Sequence, residues 1–317
     1  MKKIRLTTIL IICIITFYVG LTGCASIKYK SDISENTSST NSNTNGTSRQ
    51  NSSSGNDDNT NSIEYNKYIK KVWIVKNWSK GVYGYSSFYI SKIANGEIEG
   101  KFSTGGIAAP NYGSILGNLA GKINNDTAEC QFSDKDGNNG NVKLVFKAND
   151  EMEATIEYTN KSQTYKDLSL DGTFLFKPFN LNDIDAFTPF KDQSFAVDLN
   201  SWGNVKFVSG RYIGKNHILT VCFLTNEDGD ILYEFNSAFP YAADVKAVSL
   251  QDVNKDGLKD IIIVVGNSDD SSSQIATVFF QKDDGGFDYD NALDDEINHS
   301  GNNKDIKTIT DYLSKKF

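Results

Sequence analysis

EATIEY, residues 153–158, puts Ala154, Ile156 and Tyr158 on one side of an extended chain and Glu153, Thr155 and Glu157 on the other. Side chains alternate faces along a strand, so the stretch reads as a strand with one face on a core and one in water. The same period of two runs outward from it. EIEGKF (97–102) opposes Ile98 and Phe102 to Glu99 and Lys101, and AECQF (128–132) opposes Ala128, Cys130 and Phe132 to Glu129 and Gln131. VKLVF (142–146) and GTFLF (172–176) keep the habit, and ANG, KINND, DKDGNNG, KAND and LDG supply turn residues between them. Repeated short strands with one apolar face predict an antiparallel β-barrel or sandwich over 66–178.

This meander resembles the lipocalin and avidin barrels in pattern, although the Gly-x-Trp signature of lipocalins is missing and only Trp73 and Trp78 stand near the first strand. The resemblance implies a ligand pocket that the aromatic cluster VYGYSSFY (82–89) would line; the alternative, and the expectation here, is that those rings fill the core or a pairing face. DKDGNN (134–139) carries oxygens at a spacing that suits a metal, but a hairpin turn needs the same residue types, and it is read as a turn.

Pro178 and Pro189 bracket the polar stretch FNLNDIDAFT, taken as the boundary to a second domain over 190–317. In that domain DLNSWGNVKFVSG (from Asp198) aligns with DVNKDGLKDIIIVVG (from Asp252) at an offset of 54 residues, and ILTVCFLTNEDGDILYEF continues against QIATVFFQKDDGGFDYD. Each copy reads as loop, strand, strand, acidic turn, strand, an internal duplication at a blade-like period. The chain then closes on NNKDIKTITDYLSKKF, with Ile306, Ile309, Leu313 and Phe317 at helical spacing, Asn302 or Asn303 as cap, and Lys315 and Lys316 in the last turn. The expected fold is therefore mainly β: a barrel or sandwich, then a duplicated blade-like β domain that ends in a helix.

DVNKDGLKD (252–260) is spaced for one particular chemistry. Asp252, Asn254 and Asp256 offer oxygens at alternate positions, Gly257 permits a sharp turn, Leu258 offers its carbonyl and Asp260 closes the ring. Hard oxygen donors around a turn suit Ca²⁺, yet Ile263 stands where an EF-hand needs Glu, and the flanks read as strands. The loop resembles the calcium loops of FG-GAP and VCBS-type repeats. That resemblance implies Ca²⁺ held by Asp252, Asn254, Asp256, the Leu258 carbonyl and Asp260. The first copy has Trp202 for the central Asp and Lys206 for the last, so it is expected to bind no metal, with Lys206 bringing a positive charge in the ion's place. Two copies fall short of the four blades that close a propeller.

The chain opens MKKIRLTTILIICIITFYVGLTGC, a basic start, an apolar run and then LTGC (21–24). This resembles the signal and lipobox of bacterial lipoproteins, which implies cleavage of residues 1–23, acylation of Cys24, and anchoring at the extracellular face of the cell membrane without a spanning helix. Removing 1–23 takes away Lys2, Lys3 and Arg5 and leaves 29 basic against 40 acidic residues, a surface that repels nucleic acid. From 35 to 62 the chain is largely Ser, Thr and Asn without Ile, Leu, Val or Phe, so 24–65 is expected to be a disordered tether. About 40 flexible residues would hold the folded part ~35 Å from the lipid. Cys130 and Cys222 lie in apolar strand-like runs, where they act as small hydrophobes or pair in an oxidising compartment.

For catalysis the sequence offers little. His217 and His299 are the only histidines, and no Gly-x-Ser-x-Gly elbow, Walker loop or dinucleotide fingerprint occurs. A Ca²⁺ saturated by protein ligands leaves no open position for substrate. The expectation is a non-catalytic, calcium-stabilised binding or adhesion module whose partner is an envelope protein or glycan. The alternative is an extracellular hydrolase, or its accessory subunit, acting on a polysaccharide through one of the many carboxylate pairs.

Overall fold

The computed structural model describes residues 64–77, 86–104, 115–162, 170–213, 218–235, 239–267 and 270–317. Residues 1–63, which hold the stretch read as a signal, Cys24 and all but the last two residues of the stretch 24–65 read as a tether, lie outside the described residues, as do Trp78, the VYGY half of the aromatic cluster and His217. The protein is mainly β.

Eight strands close an antiparallel up-and-down barrel in chain order: β1 (Val72–Val75), β2 (Ser86–Ala94), β3 (Glu97–Thr104), β4 (Ile115–Asn124), β5 (Thr127–Ser133), β6 (Asn139–Phe146), β7 (Met152–Asn160) and β8 (Gly172–Pro178). β1 pairs with β8 through Trp73↔Pro178 and Val75↔Phe176, which removes the free edges. The alternation read at 153–158 is obeyed, since Met152, Ala154 and Ile156 are buried. Gly121 lets β4 bend against β5, because a Cβ there would run into the Glu129 carbonyl and the Cys130 Cα.

Side chains fill the barrel. Phe88 stacks on Phe102 at 4.9 Å, meets Phe176 edge-on at 4.9 Å, and Phe102 meets Phe132 at 5.1 Å. Each such ring contributes ~1.5–3 kcal/mol through burial. Tyr68 closes one end by stacking on Trp73 at 5.1 Å, while its hydroxyl reaches the Lys147 carbonyl. Phe88 therefore belongs to the core, and Tyr89, next along β2, faces out of the barrel. The 134–139 stretch is a turn: Asp134 accepts the Asp136 and Asn138 amides at 2.9 and 2.8 Å.

Two further antiparallel sheets follow. The first runs β10 (Phe195–Leu199), β11 (Gly203–Ile213), β12 (Ile218–Thr225), β13 (Ile231–Phe235), with β9 (Phe187–Pro189) also paired to β11. The second runs β14 (Asp244–Gln251), β15 (Asp260–Asn267), β16 (Asp270–Gln281), β17 (Phe287–Tyr289). Both contain a four-strand meander of the same order, to which the first sheet adds β9. Their inner faces meet: Phe207, Cys222, Leu224 and Phe235 pack with Ile261, Ile263, Val265 and Phe279. Period two then sends Val221 and Phe223 to the other face, where they join Val72 and Ile74 of β1 together with Phe179 and Ile184. So barrel, first sheet and second sheet are stacked layers, and the polar stretch after Pro178 buries two apolar residues between the first two.

The fourth layer is helical. Ile262, Val264, Ala276 and Val278 face Leu293 and Ile297 of α1 (Asn291–His299) and Ile309 and Leu313 of α2 (Ile306–Lys316). That cover explains the unbroken IIIVV of β15, which is buried on both faces. The predicted C-terminal helix is present, capped by Asp305 rather than by Asn302 or Asn303: its Oδ1 accepts the Thr308 amide at 2.7 Å. α1 had no counterpart in the sequence reading. Cys130 and Cys222 are both buried free thiols, one in the barrel core and one between the sheets.

Candidate functional site

The 252–260 loop joins β14 to β15, as its flanking hydrophobic runs require. Lys255 at φ 64° and Gly257 at φ 88° curl it back on itself. Asp252 accepts the Asp256 amide at 3.2 Å and the Gly257 amide at 2.9 Å, and Asn254 Oδ1 accepts the Asp256 amide at 3.1 Å. Asp256 in turn takes the Leu258 amide at 2.8 Å and the Asn254 side-chain amide at 2.8 Å. These are Asx-type bonds that hold the loop's shape through the same oxygens that would serve an ion.

Asp260 differs from the others in being fully buried. One oxygen accepts the Val253 amide at 3.0 Å and the other the Gln281 amide at 3.0 Å, tying the loop's start to the end of β16. Burial pushes its carboxyl up to about 6, the Val253 and Gln281 amides oppose that, and the Asp256 and Asp252 charges push it further up. Gln281 adds an anomaly. It is 2% exposed, and neither atom of its side-chain amide finds a hydrogen-bond partner.

Together these features fit a hard dication in donor chemistry. Asp252, Asn254, Asp256 and Asp260 come from one loop, the Asp256 and Asp252 charges act on Asp260, and an orphaned amide lies on the residue bonded to Asp260. Among the described residues no three His, Cys, Asp or Glu side chains already converge on a metal-sized point, so the loop's carboxylates would have to turn from its amides to an ion.

The equivalent turn of the first sheet has another occupation. Trp202, at the position of Asp256, donates its indole N–H to the Gly285 carbonyl at 2.8 Å, and Lys70 lies 5.5 Å from its ring centre. Ser201 and Asn200 reach the Asp283 and Gly257 carbonyls at 3.3 and 3.4 Å. Lys259 of the second loop donates to the Asp198 carbonyl at 2.9 Å, while Lys206 stands exposed on β11. This turn fastens the two sheets and the barrel's first residues to one another.

Two cavities escaped sequence reasoning. A cleft of about 340 Å³ lies between the outer wall of β2–β4 and the sheets, bordered by Tyr89, Lys101, Asn118, Tyr233 and Phe287. It shares Tyr89, Lys101 and Tyr233 with a smaller lobe of about 100 Å³. The available signal was an aromatic residue at an outward position of β2, which calls for cover. A second cavity, about 670 Å³, lies beside α1 and is bordered by Thr277, Tyr289, Asp294, Asp295 and His299. Burial pushes the Asp294 carboxyl up to about 7, against the Val278 amide and the Thr277 and Tyr289 hydroxyls.

The sequence matches no protein-family model, no curated protein and no solved structure.

Proposed function

We propose that the chain is a lipoprotein anchored through Cys24 at the extracellular face of the cell membrane, and that its β-structured part is a non-catalytic, calcium-stabilised module binding an envelope protein or glycan. The observation that carries this reading is Asp260, a carboxylate that burial pushes upward and the Asp256 and Asp252 charges push further, held where the loop's start meets the end of β16. Asp252, Asn254, Asp256, Asp260 and the Leu258 carbonyl would hold the ion. Ca²⁺ there would supply charge that offsets the three carboxylates of the loop. Asp260 itself staples β14, the loop and β16, so what the loop determines is strand geometry. No helix among the described residues is long and apolar enough to cross a membrane.

A hydrolase acting on polysaccharide is the second reading, favoured by Asp294, a carboxyl poised near neutrality in a cavity wall. Its neighbour Asp295 follows on the same helix, about 100° around the axis, and gives no carboxylate facing it.

The test has two parts. Mass spectrometry of the native N-terminus should find Cys24 first and lipidated. Capture from envelope extracts by the full chain should retain a partner with Ca²⁺ and lose it with chelator. An unmodified N-terminus elsewhere sinks the anchor, and capture indifferent to Ca²⁺ sinks the module.

A further inference from the structure

We propose that the cleft between the barrel wall and the sheets binds a short saccharide bearing a carboxylate, with Lys101 meeting the carboxylate and the Tyr89–Tyr233 pair holding the sugar ring. This rests on the binding-module reading and names what the module holds. The main lobe, about 340 Å³, falls in the size range of small-molecule sites, and the second lobe of about 100 Å³ extends it past Lys101.

Charge places the ligand's carboxylate. Glu99 on the wall pairs with Lys92 at 3.2 Å, Lys282 pairs with Asp288 at 3.0 Å, Glu234 on the smaller lobe has a partner of its own, and Asp284 keeps its charge while accepting the Gly286 amide at 2.7 Å. Lys101 makes no ion pair among the described residues and borders both lobes. Of the lining charges that no ion pair takes up among the described residues, Asp284 borders the main lobe alone and Lys101 borders both, so Lys101 is the group placed to meet an anion.

The remaining lining selects a polyhydroxylated body. Tyr89 meets Tyr233 edge-on at 5.9 Å, and the Tyr233 ring is fixed because its hydroxyl lies 3.3 and 3.4 Å from the Phe287 backbone N and O. Such rings offer faces for the C–H side of a sugar. The Tyr89 hydroxyl is buried and has no hydrogen-bond partner, a cost that a ligand oxygen would remove. Ser91, Ser103 and Asn118 add groups that both donate and accept. A peptide strand is disfavoured on the barrel side, since Tyr89, Lys101 and Asn118 are already paired in successive ladders and offer no free backbone edge.

Calorimetry on the full chain in mild detergent tests this with three probes: trigalacturonate, maltotriose and triglutamate. Trigalacturonate should bind about tenfold tighter than either other probe, a difference of ~1.4 kcal/mol. Lys101→Met should erase that preference and leave maltotriose binding alone. Tyr89→Phe should weaken both sugars several-fold while the protein melts no lower than the parent, because the substitution removes an unsatisfied buried hydroxyl. No binding of any probe, tighter binding of triglutamate, or affinities indifferent to both substitutions would each overturn the proposal. Calcium-dependent envelope capture that persists in Lys101→Met would fail the cleft alone. Its absence from the parent would fail the module reading instead.

Discussion

Asp294 sits in the first turn of α1, where the helix dipole favours a carboxylate, yet burial against β16 raises its carboxyl to about 7. A carboxyl that holds its proton more tightly folded than unfolded stabilises the fold fully below the unfolded value of ~3.9, and that contribution is lost as pH rises through about 7. The amount is on the order of 2–4 kcal/mol between pH 4 and 8. Asp294→Asn should therefore melt higher than the parent at pH 8, with the two curves converging toward pH 4; parallel curves would contradict the assignment. The sequence hides this residue, since LDDEI offers three acids and only packing decides which one faces β16. Tyr89 was half legible, because the period of β2 sends it outward but does not say what covers it. The oxygen-bearing residues of the 252–260 loop were legible as a set, whereas Gln281, arriving from β16, was not.

At the scale of elements, strands with one polar face could be read directly, and IIIVV read as a strand because its length and β-branching allow little else. α2 was legible from four apolar positions at helical spacing. α1 was not, since Leu293 and Ile297 are its only large buried apolar residues and its other positions are mostly acidic or amide. β9, at three residues, is too short to carry a period. The α2 packing gives a graded prediction. Leu313→Ala, fully buried against Ile262 and Val264, should cost ~2–4 kcal/mol in urea unfolding. Phe317→Ala should cost under ~1 kcal/mol, because the ring is 49% exposed and meets Phe280 edge-on at 5.6 Å from the chain's last position. Equal losses would mean that α2 does not seat on β15 and β16 as described.

For the whole molecule, the layer of Val72, Ile74, Phe179, Ile184, Val221 and Phe223 links barrel to sheet, reinforced by Lys71 on Asp230 at 3.1 Å and Asn180 on Asp230 at 3.0 Å. Residues 64–317 should accordingly unfold in one transition by calorimetry, and two separated transitions would contradict a shared core. The sequence announced the barrel and the paired meanders but not their stacking, because Phe179 and Ile184 stand alone in a polar stretch. Calcium would act on this stack through one loop. At free Ca²⁺ ten times a Kd of ~10⁻⁴–10⁻³ M, binding adds about 1.4 kcal/mol, a rise of ~3–5 °C in Tm. The most direct measurement is calcium titration of the parent, Asp256→Ala and Asn200→Ala, followed by calorimetry and by Tm. The account predicts one site in the parent and in Asn200→Ala, a Tm rise that Mg²⁺ largely fails to reproduce, and neither binding nor rise in Asp256→Ala. No binding at millimolar Ca²⁺, or two equal sites, would contradict it.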